Sequence, residues 1–268
     1  ILKKEGISII RKLNILETNR IAKNISDKIC TYFSEYLINY DDLFSSIARI
    51  DMYLAKMPTN DIAAKYLYVD NSIYFNNTID LTISENSIFA LHECIHFIQT
   101  KLNDKCKLER LGLYTLGNSG VALNEAAVQL MASVAQGLDF DSAKYYDINI
   151  NTISPDCYPM QCALLNEMIY FTGTYPLYHS TLNSNDLFKN TFISYSDKKT
   201  YNKIEVNFDK ILKLEDDLYY FTVGLQNATT EKDINSFNRL IFNRKEAIKH
   251  VFLNTQELII RNVFYKRI

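Results

Sequence analysis

Two histidines and a glutamate stand together at residues 92–96, where the chain reads His92-Glu93-Cys94-Ile95-His96. In a helix, residues four apart lie one turn above each other on one face, so both imidazoles can reach one metal ion. Glu93 would then face a metal-bound water and could take its proton as a general base. The pattern therefore predicts a metal centre that activates water.

The residues around this pattern have the periodicity of a helix. Over residues 83–102, apolar side chains recur at steps of three and four, which is the spacing of a stripe that faces a core. The stripe consists of Ile88, Leu91, Ile95, Ile98 and Leu102. His92 and His96 lie on its flank, and no Pro or Gly interrupts the run. The alternative is a chance match on an ordinary amphipathic helix.

A second helix is predicted over residues 119–137, capped by Asn118 or Ser119 and ended by Gly137. It is apolar nearly all round, so we expect it to be buried. Its only ionisable residue is Glu125. A buried carboxylate is costly unless it is paired or bound to a metal ion, so Glu125 is the expected third ligand.

Other acids could supply the third ligand instead. Asp104 and Glu109 follow the histidine pattern closely, but they lie in a lysine-rich stretch that we expect to be exposed, and they rank below Glu125. Gln129 lies one turn after Glu125 on the same helix face, where it could hydrogen-bond a ligand.

These residues resemble the gluzincins, zinc metallopeptidases that take two histidines from His-Glu-x-x-His and a glutamate from a later helix. The resemblance covers roughly residues 65–137 and is limited to the clan. It implies one Zn²⁺ per chain, held by His92, His96 and Glu125, with Glu93 as catalytic base. Several gluzincins have an aspartate where this chain has Gln129.

The expected fold is α+β and predominantly helical, with a small N-terminal sheet like that of a zincin. Residues 48–57 read as a strand, and residues 66–69 and 72–75 read as a hairpin that turns at residues 70–71. In zincins an edge strand beside the active-site helix binds substrate backbone. The resemblance assigns that role to residues 72–76; a plain hairpin without a ligand is the alternative.

The remainder is expected to be mostly helical, in a single catalytic domain over residues 1–268. This domain could consist of two lobes around a cleft. Residues 1–103 would contain the sheet and the motif helix, and residues 104–268 would form a helical lobe. The helices predicted outside the motif region cover residues 17–40, 160–172, 203–226 and 232–264. The last is basic and amphipathic, which fits either an anionic membrane surface or a solvated outer face.

Peptide hydrolysis passes through an oxyanion, to which a Tyr, His or Arg side chain usually donates a hydrogen bond. Residues 173–180 read as a loop with Gly and Pro, downstream of Glu125. This loop carries Tyr178 and His179, which are the candidates for that catalytic role. The alternative is a loop tyrosine and a surface histidine.

Composition restricts the partners. The net charge of −2 and a pI near 6.1 give no general attraction to nucleic acid. No run of 18 apolar residues occurs, so no membrane span is expected. Five cysteines at irregular spacing favour free thiols in a reducing cytoplasm. The chain starts with Ile, so a removed leader remains compatible with the sequence.

The sequence thus predicts a zinc-dependent metallopeptidase acting on a peptide or protein substrate. A second hypothesis is a zincin-fold regulatory protein that binds or cuts a single partner, with little general protease activity. A third is a helical binding module in which the histidine pattern is accidental.

Overall fold

Helices dominate the computed structural model, which describes residues 2–36, 38–83, 87–105 and 107–264. A mixed four-stranded sheet belongs to the N-terminal part, and smaller sheets follow along the chain. The predicted class, α+β and predominantly helical, is confirmed.

The elements follow one another in a simple order. The first are α1 (Leu2–Glu5), β1 (Ser8–Lys12), α2 (Ile15–Tyr32), α3 (Tyr40–Ala48), β2 (Asp51–Lys56), β3 (Ala64–Leu67) and β4 (Ser72–Asn76). Next come α4 (Ser87–Ile98), β5 (Thr100–Leu102), β6 (Leu108–Leu111), β7 (Tyr114–Thr115), α5 (Val121–Ala135), β8 (Asp141–Tyr145) and β9 (Ile148–Thr152). The last are α6 (Pro159–Thr172), α7 (Thr174–Asn183), α8 (Leu187–Tyr195), α9 (Lys198–Gln226) and α10 (Glu231–Phe264).

The chain forms two compact units. Unit 1 comprises Ile1–Gly112, Val128–Asp139 and Thr181–Ser184. Unit 2 comprises Leu113–Ala127, Phe140–Ser180 and Asn185–Ile268. The assignment of one catalytic domain to residues 1–268 stays a prediction.

The sheet of unit 1 has the strand order β1-β2-β4-β3. Strand β4 runs parallel to β2 and antiparallel to β3, with Leu67 opposite Ser72. The predicted hairpin is therefore present, but its first strand covers Ala64–Leu67 rather than residues 66–69. Asn71 takes a left-handed conformation in the turn, with φ of 50°. The assignment of the edge to residues 72–76 is wrong, because β4 is interior and buried along its length. The edge strands are β1 and β3, and β3 is the one that α4 contacts.

Helix α2 is shorter than the predicted helix over residues 17–40. It begins at a capping box in which the Asn14 side chain accepts from backbone N–H groups and Glu17 reaches back to Asn14. It ends at Tyr32, where Phe33 leaves the helical conformation, with φ of −125° and ψ of 27°. Asn39 then caps a separate helix, α3, by accepting from the backbone N–H of Asp42. Leu37, part of the predicted stripe, lies outside the described residues.

The motif helix α4 is confirmed, over Ser87–Ile98 rather than residues 83–102. Leu91, Cys94 and Ile95 are completely buried, and burial of a side chain of this size contributes about 1.5–3 kcal/mol to folding. Lys28 of α2 fixes the start of α4, since its Nζ donates to Ser87 Oγ at 2.8 Å and to Gln136 Oε1. Gln136 directly follows α5, so one lysine ties α2, α4 and α5 together in unit 1.

Helix α5 begins at a cap that comes from a distant helix. The backbone N–H groups of Gly120 and Ala122 donate to the Asp209 carboxylate of α9, at 2.8 and 2.9 Å. A carboxylate at a helix N-terminus is favoured by the helix dipole. Gly120 has φ of 110°, and a Cβ there would lie 3.1 Å from Glu205 Oε1, so glycine suits this position. Within unit 2, α9 therefore fixes the start of the helix that carries Glu125.

Burial raises the pKa of Glu205 to about 7, and the nearby Asp209 carboxylate adds to the shift. The ordinary glutamate pKa is lower, so the fold favours the neutral form. The contribution of protonated Glu205 to the free energy of unfolding is fully present below about pH 4.5 and is lost as the pH rises through 7. We expect Glu205→Gln to raise the free energy of unfolding at pH 8 by about 1–3 kcal/mol and to change it little at pH 4.5. Urea unfolding at both pH values measures this, with the exposed Glu246→Gln as control; an equal effect at both would contradict it.

The remaining structure bears on three further predictions. In the part of the chain that the structure describes, no helix combines the length and hydropathy needed to cross a membrane. Cys30, Cys94, Cys157 and Cys162 have free thiols, while Cys106 lies outside the described residues. The predicted helices over residues 160–172, 203–226 and 232–264 correspond to α6, α9 and α10.

Candidate metal centre

The imidazoles of His92 and His96 face each other on successive turns of α4. Their Nε2 atoms lie 3.0 Å apart, and each histidine is 9% exposed. Two Nε2 ligands of one tetrahedral zinc would lie about 3.3 Å apart, given Zn–N distances of about 2.0–2.1 Å. The helix thus presents both nitrogens at nearly the separation that a shared metal ion requires.

His92 is held by a glutamine amide. Gln129 Nε2 donates to Ser133 Oγ, which leaves Oε1 to accept from His92 Nδ1–H at 2.9 Å. With the proton on Nδ1, the lone pair of His92 is on Nε2, the atom that lies 3.0 Å from His96 Nε2 and that could bind a metal ion. Gln129 was the residue expected from sequence to hold a ligand, and the structure places it there.

His96 is held by Gln99, which the sequence analysis missed. Gln99 Nε2 lies 2.7 Å from His96 Nδ1, while Gln99 Oε1 is buried without a hydrogen-bond partner. Rotating this amide by about 180° would let Oε1 accept from Nδ1–H and place the His96 lone pair on Nε2, with the amide nitrogen then lying where Oε1 lies now. The available signal was the position of Gln99, three residues after His96.

Glu125 completes the cluster, one turn before Gln129 on α5. One ligand atom each from His92, His96 and Glu125 lie within 4.8 Å of one another. Among residues 2–36, 38–83, 87–105 and 107–264, this is the cluster of His, Cys, Asp or Glu side chains that could hold a metal ion. The competing candidates Asp104 and Glu109 are exposed and outside it.

Glu93 is buried beside the edge strand. It is 8% exposed, and its Oε2 accepts the backbone N–H of Tyr66 at 2.6 Å. Strand β3 thus fixes one oxygen of this carboxylate and leaves the other available for proton transfer. The contact involves a backbone group on another element, so no side-chain pattern could have predicted it.

Tyr178 and His179 do not lie on a loop, contrary to the prediction, because residues 174–183 form α7. Pro176 is in the first turn, where a helix N–H has no intrahelical partner to lose, so proline is tolerated. Both side chains are partly buried. Neither belongs to the metal cluster, and their catalytic role stays a prediction.

The hydrogen bonds of His179 specify its tautomer. Leu187 N–H donates to Asn185 Oδ1 at 3.0 Å, so the amide nitrogen faces His179 and donates to Nδ1, also at 3.0 Å. A histidine that accepts at Nδ1 carries its proton on Nε2 when neutral. His179 Nε2–H is therefore a hydrogen-bond donor, the property that an oxyanion partner needs.

Comparisons of the chain with protein-family models, with curated proteins and with solved structures find no match. The site is therefore interpreted from its own geometry. Two imidazole nitrogens and a carboxylate oxygen lie within 4.8 Å of one another, and Gln129 and Gln99 hydrogen-bond the two rings. This arrangement could hold a metal ion.

The glutamine amides predict a measurable effect on metal affinity. Gln129→Leu removes the acceptor that orients His92, so we expect metal binding to weaken by about 10–100-fold. Competition titration with a chromophoric zinc chelator measures the change. Gln226→Leu, at the exposed end of α9, is the matched control. Equal affinity in both variants would show that Gln129 does not orient the ligand.

Proposed function

We propose that this protein is a zinc-dependent metallopeptidase of the gluzincin type. The observation that carries the proposal is the convergence of His92, His96 and Glu125 ligand atoms within 4.8 Å. Glu93, on the same helix as the histidines, supports it because a general base is needed beside such a centre.

The donor set favours zinc. Two imidazoles and one carboxylate are the ligands of a common type of catalytic zinc site, and three protein ligands leave a position for water. When bound, zinc would supply Lewis acidity toward the substrate carbonyl and lower the pKa of water. The separation of the His92 and His96 Nε2 atoms supports the fit of these residues to zinc.

The protein's own groups carry out proton transfer and stabilise the oxyanion. Glu93 takes the proton of the attacking water and later delivers it to the leaving amine. The Tyr66 N–H restricts the Glu93 carboxylate to one orientation, which lowers the entropic cost of proton transfer. His179 Nε2–H or the Tyr178 hydroxyl donates to the developing oxyanion.

Strand β3 is the proposed site for substrate backbone. An edge strand has backbone groups without partners in the sheet, and an extended peptide can pair with them as an added strand. The Tyr66 N–H already donates to Glu93, so a peptide paired with the other backbone groups of this edge would lie beside the general base. This role replaces the one that was predicted for residues 72–76.

A peptide-library digest with untagged protein tests the proposal. We expect the zinc-loaded protein to cleave peptides, a chelator to stop cleavage, and one equivalent of zinc to restore it. Mass spectrometry of the products measures the cleavage sites. Zinc-loaded protein that leaves the library intact would contradict general peptidase activity and favour the regulatory hypothesis.

A further inference from the structure

A second group of charged residues lies far along the sequence from the metal cluster, in a groove of unit 2. The groove runs between α9 and α10 and has a volume of about 380 Å³. Lys203 and Lys210 line it from α9, and His250 and Arg261 line it from α10. The proposed hydrolysis uses none of these residues.

The groove is cationic although the whole chain has a net charge of −2. Its one carboxylate, Glu257, is already paired with Arg261 at 2.5 Å. Lys203 and Lys210 make no ion pair with any residue that the structure describes. Two ammonium groups therefore lie along one groove without a negative partner, an arrangement that attracts anions.

The spacing of these residues indicates the shape of the anion. Lys203 and Lys210 are seven residues apart, which is about 10 Å along a helix. Helices α9 and α10 form an antiparallel hairpin, held at the groove by Asn207 Nδ2, which donates to Thr255 Oγ1 at 2.9 Å. One cationic end therefore contains Lys203 with Arg261, and the other contains Lys210 with His250.

Amide groups lie between the two ends. Asn207 and Asn254 line the middle of the groove, and the Asn254 amide is hydrogen-bonded to His250 Nε2 at 3.0 Å. Amides offer hydrogen bonds but no net charge. The lining therefore suits an elongated ligand that is anionic at both ends and hydrogen-bonding along its length.

We propose that this groove binds a small oligophosphate, with its terminal phosphates at the two cationic ends. Lysine ammonium groups bind phosphate as point charges, and their flexible stems adapt to ligands of different length. A ligand that reaches both ends binds more tightly than one phosphate, because its second contact forms within the same complex.

Calorimetric titration of metal-free protein tests the proposal independently of the metallopeptidase activity. At fixed ionic strength we expect inorganic tripolyphosphate to bind one per chain, at least tenfold more tightly than orthophosphate. The double variant Lys203→Gln/Lys210→Gln should lose at least tenfold in affinity for tripolyphosphate. Circular dichroism of both proteins checks that the variant is folded.

The control Lys232→Gln/Lys245→Gln removes the same charge from exposed positions of α10 outside the groove. It should bind tripolyphosphate like the wild type. Equal losses in the two double variants would show non-specific attraction, and absence of binding to the wild type would also overturn the proposal. Lysine-dependent binding to anionic lipid vesicles without tripolyphosphate binding would replace it with a membrane-surface function.

Discussion

Glu93→Gln should reduce peptide hydrolysis by about 10²–10⁴-fold while the protein keeps about one zinc per chain. The amide has nearly the shape of the carboxylate and its oxygen can still accept the Tyr66 N–H, which the wild-type Oε2 accepts at 2.6 Å. What the variant loses is the ability to accept a proton from water. The kinetic parameters kcat and KM, measured with a fluorogenic peptide, should show that the loss is in kcat.

The matched control is Glu109→Gln, which makes the same chemical change at an exposed position of β6. It should hydrolyse peptide at the wild-type rate. Zinc content, determined by atomic emission, separates loss of the base from loss of the metal ion. A Glu93→Gln variant with full activity would disprove the proposed mechanism, even if zinc is bound.

Glu125→Ala should weaken zinc binding by more than about 100-fold, which is the upper range for residues that only orient ligands. The change removes one of three protein ligands and leaves the two imidazoles of α4. The Glu125 side chain is only partly buried, so the fold should tolerate its removal. Competition with a chelator of known affinity measures the zinc dissociation constant.

The sequence itself provides the controls for this experiment, because Asp104 and Glu109 were the competing third ligands. Both are exposed and outside the cluster. Asp104→Ala and Glu109→Ala should bind zinc like the wild type. If either variant lost zinc while Glu125→Ala retained it, the assignment of the third ligand would be wrong.

Much of the candidate site was predictable because its information is local. His92 and His96 share one helix, and a spacing of four places them on one face whatever surrounds them. Glu125 could be identified because it is the single ionisable residue of an apolar helix. Gln129 followed from its position one turn later.

The contacts between elements were not predictable. The Tyr66 N–H that holds Glu93 belongs to the backbone, which carries no residue-specific signal. Asp209, which caps α5, is 89 residues from Gly120, its hydrogen-bond partner. Gln99 was near enough to find, but a glutamine after a histidine is too common to indicate an orienting contact.

The wrong predictions about the fold have similar causes. The predicted helix over residues 17–40 continued a regular apolar stripe past Tyr32, although α2 ends there and Asn39 caps a separate helix. Strand β4 was assigned to the edge because strand order depends on pairing with β2, which is distant in sequence. Gly173 and Pro176 indicated a loop, although a proline in the first turn is compatible with helix α7.

Anomalous X-ray diffraction at the zinc absorption edge, on crystals grown with one equivalent of zinc, tests the central claim most directly. We expect one strong peak, bonded to Nε2 of His92, Nε2 of His96 and a carboxylate oxygen of Glu125. A well-ordered site with no peak between these three side chains, or zinc bound elsewhere, would contradict the proposed function.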